Sequence, residues 1–177
     1  MDRYAAGDDQ AFPELYDLLA PRLFAYLRRQ TRDSARAEDI LHETMLQIHR
    51  YRGRFIRGAE VTPWAFAIAR RFMIDSFRED RRQQKIATSM AALPAKTEPL
   101  TDELVLSAQV AHRLEEEIAR LPDKQRLAYE MVKKDGLSLR EVAQVLGTSI
   151  NAIKLRIHRT YTKLQAVMAS ATEDGNE

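Results

Sequence analysis

The sequence predicts an all-α protein made of two small helical domains joined by a flexible linker, the C-terminal one a helix-turn-helix domain. Glycine and proline are scarce, at six each in 177 residues, and residues that favour helix are plentiful. Alternating β-branched runs typical of strands are absent. Between the helical halves the chain holds Pro94 and Pro99 among small and polar residues, which is typical of a linker. The predicted ranges are 1–85 for the first domain, 86–111 for the linker, 112–170 for the second domain and 171–177 for a tail.

Three helices are predicted in the first domain, over Phe12–Gln30, Ala35–Tyr51 and Pro63–Arg82, because apolar residues recur there at helical spacing. Pro21 is expected to kink or interrupt the first of them. The glycines and arginines between Arg52 and Thr62 indicate a basic loop.

The second domain is predicted to contain helices over Leu104–Arg120 and Asp123–Lys134, with Asp123 as a cap, followed by a helix-turn-helix. Ser138 and Glu141 have the spacing of a capping box. Gly147 can adopt the left-handed conformation that ends a helix, and Ser149 can cap the next one.

The last predicted helix has the pattern of a recognition helix that enters the DNA major groove. Its apolar face is Ile150, Ile153, Ile157, Tyr161 and Leu164, and no acidic residue occurs from Ile150 to Met168. The candidate DNA-reading residues on the outward face are Asn151, Lys154, Leu155, His158 and Arg159, with Arg156 placed nearer the flank for phosphate. An amphipathic helical hairpin that never contacts DNA has similar spacing, and this alternative stays open.

Composition and charge exclude other chemistry. The net charge is only +2, but basic residues cluster between Arg50 and Lys85 and again between Lys133 and Lys163. The chain has no cysteine, no apolar run long enough to span a membrane and no signal core, so we expect a cytoplasmic protein. Its four histidines are scattered, and no nucleophile or phosphate-cradling motif is present. We therefore expect no catalysis, no cofactor and no bound metal.

Four stretches, taken in order, resemble the extracytoplasmic-function (ECF) sigma factors, the smallest specificity subunits of bacterial RNA polymerase. They are Ala5–Tyr16 for the family's opening helix, Ala37–Arg50 for its polymerase-binding helix, Thr62–Arg78 for its promoter-melting helix, and Leu121–Arg126 with the helix-turn-helix for its C-terminal domain. By the family's pattern Met1 falls inside the first helix, which leaves open missing residues or a later start codon.

The resemblance implies three sets of functional residues. Asp39 and Glu43, one helical turn apart, would with Glu38 bind core polymerase, although such an acidic edge alone is more typical of a solvated helix face. Residues implied for the minus-ten element are Arg54, Phe55, Ile56, Arg70, Arg71 and Arg78. Residues implied for the minus-thirty-five element are Asn151, Lys154, Leu155, Arg156, His158 and Arg159. By their helical spacing Trp64, Phe66 and Phe72 are expected to be core residues rather than base readers.

The implied function is promoter-specific initiation: binding of core RNA polymerase at its clamp coiled coil and flap, melting of the minus-ten element and binding of the minus-thirty-five element. The implied partners are core RNA polymerase, promoter DNA and an anti-sigma factor. In the holoenzyme the protein would be associated with the nucleoid, and no insertion into a membrane is expected. Two alternatives stay open: a stand-alone helix-turn-helix regulator, and a sigma mimic that sequesters an anti-sigma factor. The sequence departs from the family's usual residues at Arg71, Ala152 and Leu155, so the promoter sequence is not predictable. It also departs at His42, which affects only the fine affinity for polymerase.

Overall fold

The computed structural model describes the backbone of residues 1–84 and 102–173, and the side chains of 1–82 and 111–169. Within these ranges the chain forms helices and short connections without a strand, which confirms the predicted all-α fold. The helices are α1 (Asp2–Ala5), α2 (Ala11–Thr31), α3 (Ser34–Tyr51), a 3₁₀ turn (Arg52–Arg54), α4 (Val61–Gln84), α5 (Asp102–Arg120), α6 (Asp123–Lys133), α7 (Leu139–Leu146) and α8 (Ile150–Glu173).

The first domain is a bundle in which α2, α3 and α4 pack against one another. Its core is built from large apolar side chains of α2 with the small and aromatic residues of α4. The fully or almost fully buried residues include Leu15, Leu19, Leu23, Tyr26, Leu27, Ile40, Ile48, Ala65, Phe66, Ala69 and Met73. Pro21 lies inside α2 without ending it, so the expected interruption does not occur.

Several element boundaries differ from the predictions. The stretch Ala5–Tyr16 is not one helix: α1 ends at Ala5, Gly7 has a φ of +100°, and α2 begins at Ala11. Helix α5 begins at Asp102, so the last part of the predicted linker is helical, while residues 86–101 lie outside the described residues. The backbone of α8 continues to Glu173, into the predicted tail.

The expected cap at Asp123 is also wrong. Pro122 is the N-cap residue of α6 and gives no side-chain cap. Asp123 sits in the first turn, where its carboxylate accepts a hydrogen bond from the Arg126 guanidinium at 2.6 Å. Because an acid in the first turn still faces the positive end of the helix, its electrostatic contribution to α6 remains favourable.

The helix-turn-helix is held by the local interactions that its sequence predicts. The Ser138 hydroxyl accepts from the Glu141 backbone N–H at 3.2 Å, and the Glu141 carboxylate accepts from the Ser138 N–H at 2.7 Å. Gly147 ends α7 in the left-handed conformation, with φ of +60°. The Ser149 hydroxyl accepts from the Ala152 N–H at 3.2 Å and caps α8. All three predicted signals are confirmed.

The two domains contact each other where α7 packs against α4 and where α2 meets the turn after α6. Arg29 forms an ion pair with Asp135, whose side chain is only 1% exposed. Arg22 donates to the Asp135 carbonyl at 2.8 Å, and Gln30 donates to the Glu130 carboxylate at 2.6 Å. Burial raises the pKa of the Asp135 carboxyl, and the Arg29 guanidinium opposes that rise.

Replacing Ser138 with alanine should destabilise the second domain by about 1 kcal/mol, because the α7 N-terminus loses a side-chain acceptor and the capping box opens. Chemical denaturation followed by circular dichroism measures this change. The matched control is Gln144→Ala, since the Gln144 side chain is exposed on the same helix and takes no part in the capping box. An equal loss of stability in both variants would contradict the capping role.

Replacing Arg29 with alanine should loosen the contact between the domains, because it leaves the Asp135 carboxylate buried without its cationic partner. Separation of the domains would rehydrate that carboxylate, so we expect a larger radius of gyration in small-angle X-ray scattering. Arg28→Ala is the control, since Arg28 is exposed on the same helix. Identical scattering from both variants and the parent protein would contradict this account of the contact.

Candidate nucleic-acid interface

Helix α8 presents one face to its own domain and the opposite face to solvent. Ile153, Thr160 and Leu164 are buried, and Ile157 is partly buried against the core. The Thr160 hydroxyl donates to the Arg156 carbonyl at 3.0 Å, so this buried polar group is satisfied within the helix. The rotation of α8 about its axis is therefore fixed by packing.

The residues predicted to read DNA occupy the solvent face of α8. Asn151, Lys154, His158 and Arg159 are exposed, and Leu155 is 48% exposed. Arg156 is half-buried at the edge of this face, as expected for a flanking position. Neither Lys154 nor Arg159 has an ion pair in the described part of the chain, so both cations are available to an anionic partner. This arrangement suits a helix in the major groove.

A lysine of α6 is held beside this helix by aromatic rings. Lys133 Nζ lies 5.2 Å from the centroid of the Tyr161 ring, and the Tyr161 and Tyr129 rings meet edge to face at 6.1 Å. The hydrogen bond with Tyr161 raises the pKa of Lys133, so the lysine stays charged. Because its side chain contacts α8, Lys133 reinforces the helix packing in addition to adding positive charge beside it.

The three arginines predicted on α4 do not share one environment. The side chains of Arg71 and Arg78 are 83% and 76% exposed, and both lie near Asp75, at 3.9 and 3.5 Å. Arg70 is half-buried, and its Nε is buried without a hydrogen-bond partner. Arg71 and Arg78 are thus available at the surface, whereas Arg70 is partly committed to the interior.

In the loop between α3 and α4, the two residues predicted to contact DNA differ in exposure. Phe55 is only 9% exposed and packs against the Trp64 ring at 5.3 Å between centroids, whereas Ile56 is 76% exposed. Burial of the large Phe55 ring anchors the loop to the domain and leaves Ile56 as the exposed residue of the two, while a DNA contact of Phe55 stays a prediction. The Arg54 guanidinium lies 4.8 Å from the Tyr51 ring centroid. Arg57, exposed beside Ile56, is a further candidate, and the basic cluster between Arg50 and Lys85 is the only signal for it in the sequence.

The acidic residues of α3 form an exposed ridge, here called the acidic ridge and defined as Glu38, Asp39 and Glu43. On the other face of α3, the side chains of Ala37, Ile40 and Leu41 are buried. Within the described residues none of the three carboxylates has an ion pair. The ridge is therefore a solvated anionic surface that a basic partner could neutralise.

An apolar groove adjoins the acidic ridge and was not predicted. It has a volume of about 520 Å³ and includes Tyr16, His42, Met45 and Leu46 in its lining. Tyr16 and Leu46 are 39% and 41% exposed, so the lining of this groove offers apolar surface to a partner. Asp39, His42, Glu43 and Leu46 stand at i, i+3, i+4 and i+7, so helical spacing could have identified this mixed stripe.

Other types of site are not found in the described part of the chain. No group of three or more histidine, aspartate or glutamate side chains there is arranged to hold a metal ion. Among the helices described, none is both long and apolar enough to cross a membrane. His49 is exposed, and its ring Nδ1 lies 2.5 Å from the Tyr4 hydroxyl.

Comparisons with known protein families match both domains. The family model for Sigma-70 region 2 matches residues 15–83, and the model for Sigma-70 region 4 matches residues 111–164. The first match covers α2 to α4 with the acidic ridge and the loop at Ile56. The second covers the helix-turn-helix with its recognition helix.

Curated relatives match along almost the whole chain. The RNA polymerase sigma factor CarQ of Myxococcus xanthus is 32% identical, with 95% of each chain covered. The ECF RNA polymerase sigma factor SigF of Caulobacter vibrioides is 34% identical, with 93% of this chain and 89% of the relative covered.

Solved structures show the same fold at lower identity. The sigma factor RpoE of Bartonella quintana, solved with the anti-sigma factor NepR, is 23% identical with a TM-score of 0.67, over 90% of this chain and 98% of that one. CnrH, solved with the cytosolic domain of CnrY, is 23% identical with a TM-score of 0.65, over 96% of this chain and 97% of that one.

Replacing Lys154 or Arg159 with alanine should weaken binding of the full chain to duplex DNA. A lost phosphate contact should weaken binding similarly on all sequences and reduce the salt slope by about 1, whereas a lost base contact should cost about 1–3 kcal/mol on selected sequences only. Fluorescence anisotropy at several salt concentrations separates the two. Lys124→Ala, an exposed lysine of α6, is the control. Unchanged affinity in both test variants would rule out α8 as the DNA-binding element.

Proposed function

The chain belongs to the ECF sigma factors, and from this premise we propose how its surfaces divide the work of promoter recognition. Helix α8 binds the minus-thirty-five element as duplex, while α4 and the preceding loop recognise and open the minus-ten element. The acidic ridge on α3 binds core RNA polymerase. The protein contributes specificity and binding, and the chemistry of RNA synthesis belongs to the polymerase.

The proposed duplex contact is supported by the exposed face of α8. Lysine and arginine can donate to guanine, asparagine can pair with adenine, and an apolar side chain such as Leu155 can contact a thymine methyl. Lys134 and Arg140 are exposed nearby and are suited to phosphate. The two readout types together would fix both register and sequence.

The proposed opening of the minus-ten element is supported by the combination of cations and an exposed apolar tip. Unstacking a base step costs a few kcal/mol, which a protein recovers by holding the freed strand. Arg71, Arg78 and Arg54 offer contacts to the backbone. Ile56 at the loop tip, with Arg57 beside it, is positioned to contact an extruded base.

The acidic ridge carries the proposal, because a stand-alone DNA-binding regulator has no need of it. Three solvated carboxylates lie on one edge of α3 and are adjoined by the groove at Tyr16 and Leu46. This combination fits a partner surface that is basic with an apolar centre. A ridge that only solubilised the helix would not require exposed apolar side chains beside it.

The alternative of a sigma mimic is disfavoured by α8. A protein that only sequesters an anti-sigma factor gains nothing from a solvent face with Asn151, Lys154 and Arg159 and no acid. An anti-sigma factor is nevertheless a proposed partner of this protein. Support comes from the two solved relatives, each of which is a complex, with NepR in one case and with CnrY in the other.

Reversing the charge of the acidic ridge tests the proposed function. In vitro transcription with bacterial core polymerase and a promoter library should give promoter-specific transcripts with the parent protein. Asp39→Arg/Glu43→Arg should abolish them, because the ridge would then repel a basic clamp surface. Core affinity measured by titration should fall in parallel.

The neutral variant Asp39→Asn/Glu43→Gln is the matched control and should lie between the parent and the reversed form. Duplex DNA binding and thermal unfolding of all three proteins should agree, since the ridge is remote in sequence from α8 and exposed. Full transcription by the charge-reversed variant would eliminate the ridge as the polymerase contact. Duplex binding by a parent protein that gives no transcripts and does not bind core would favour the stand-alone regulator.

A further inference from the structure

The short helix α1 is fastened to the start of α2. The Arg3 guanidinium pairs with Asp8 at 2.8 Å and with Glu14 at 3.3 Å. The Tyr4 ring packs against Phe12 with 5.4 Å between centroids and is only 2% exposed. Although α1 has four residues, these contacts fix its position on the domain.

The same helix contacts the 3₁₀ turn that leads into the loop. The Arg52 guanidinium lies 5.1 Å from the Tyr4 ring centroid and pairs with Asp9 at 2.9 Å. Arg52 also approaches Nδ1 of His49 at 3.2 Å, the atom that the Tyr4 hydroxyl meets at 2.5 Å. Tyr4 thus joins the N-terminal segment, the end of α3 and the turn.

The loop tip has a separate tie to α1. Residues 56–60 lie between the anchored Phe55 and the first turn of α4. Within the tip, the Ala59 N–H donates to the Ile56 carbonyl at 3.0 Å. The Gly58 N–H donates to the Asp2 carboxylate, with both oxygens at 3.3 Å. Gly58 has a φ of +76°, a conformation that glycine adopts without strain.

We propose that α1 positions the loop at Ile56 for capture of single-stranded minus-ten DNA, with Asp2 as the positioning residue that holds the turn at Gly58. The proposal deepens the proposed function and rests on it for the DNA-binding step. Asp2 contacts the loop backbone and need not contact DNA.

The physical reason is preorganisation. A loop that must be ordered on binding loses affinity in proportion to the fraction of time that it spends in other conformations. The Asp2 hydrogen bond reduces that fraction for residues 56–60. A hydrogen bond of ordinary net strength shifts such an equilibrium by about fivefold.

A purely electrostatic role makes the opposite prediction. The Asp2 carboxylate adds negative charge beside a loop that carries Arg54 and Arg57. If that charge were its main effect, both Asp2→Ala and Asp2→Asn would strengthen DNA binding. If Asp2 positions the loop, Asp2→Ala weakens DNA binding. Asp2→Asn retains a side-chain oxygen that can accept from the Gly58 N–H, so this variant keeps most of the DNA affinity.

Amide hydrogen exchange of the free protein tests the tie without reference to DNA. Asp2→Ala should raise exchange at Gly58 and Ala59 about fivefold, and Asp2→Asn should change it little. Glu115→Ala, which removes an exposed carboxylate from α5, is the control. Gly58→Ala should also loosen the loop, because the positive φ at this position strains any residue with a side chain. The added Cβ would meet no neighbouring atom, so a steric clash is not involved. Equal exchange in the parent and in Asp2→Ala would overturn the proposal.

Binding of holoenzyme to a single-stranded minus-ten oligonucleotide, taken from the promoter recovered in the library experiment, tests the functional step. Asp2→Ala and Gly58→Ala should each lower this affinity, by at most about fivefold, with core affinity unchanged. Unchanged or stronger binding by Asp2→Ala would overturn the proposal. If the parent holoenzyme does not bind the oligonucleotide, the proposed minus-ten function fails and the role of Asp2 in it fails too, while the exchange data still establish whether α1 holds the loop.

Discussion

Helix α4 constrains the structure most strongly, because three other helices pack against it and the proposed nucleic-acid surface lies on the same helix. Ala65, Phe66, Ala69 and Met73 form its buried face. The two alanines allow the helices of the first domain to approach closely, and Phe66 fills the centre, where its ring meets that of Tyr26 at 5.3 Å. Since this face is buried by packing, the exposed cations Arg71 and Arg78 must lie on the solvent-exposed side of α4.

Opposite charges on consecutive helices follow from the same packing. Helices α3 and α4 bury their apolar faces against α2 and against each other, so their outward edges diverge. The edge of α3 carries the acidic ridge and that of α4 carries the arginines. Arg36 and Asp80 form a bidentate pair between the two helices, which keeps their spacing fixed near the end of α4. A basic partner and an anionic partner can therefore bind without competing for one surface.

Local signals explain what the sequence could predict. Ser138, Gly147 and Ser149 act on backbone groups within a few residues of themselves, so their roles follow from spacing alone. The apolar periodicity of α8 likewise fixed its buried and exposed faces. The outward placement of Lys154 and Arg159 could be predicted because a helix surface is determined by its own repeat.

Tertiary contacts explain what the sequence could not predict. Phe55 and Ile56 are adjacent apolar residues of one loop, and the one that packs against the Trp64 ring is the buried one. The half-burial of Arg70 depends on neighbouring helices. The short α1 has no periodicity to detect, and the contact of Arg29 with Asp135 joins residues 106 positions apart. Each of these features depends on packing between elements distant in sequence.

The contact between α7 and α4 has a consequence for assembly. Elements named for positions minus ten and minus thirty-five lie about 25 base pairs apart, which is about 85 Å of duplex at about 3.4 Å per pair. That distance is more than twice the length of a 24-residue helix at about 1.5 Å per residue. If one molecule contacts both elements as proposed, α7 must leave α4 and the Arg29–Asp135 pair must open. The free energy of that contact is then subtracted from the affinity for polymerase and promoter, and any ligand that binds only the packed form competes with transcription by mass action.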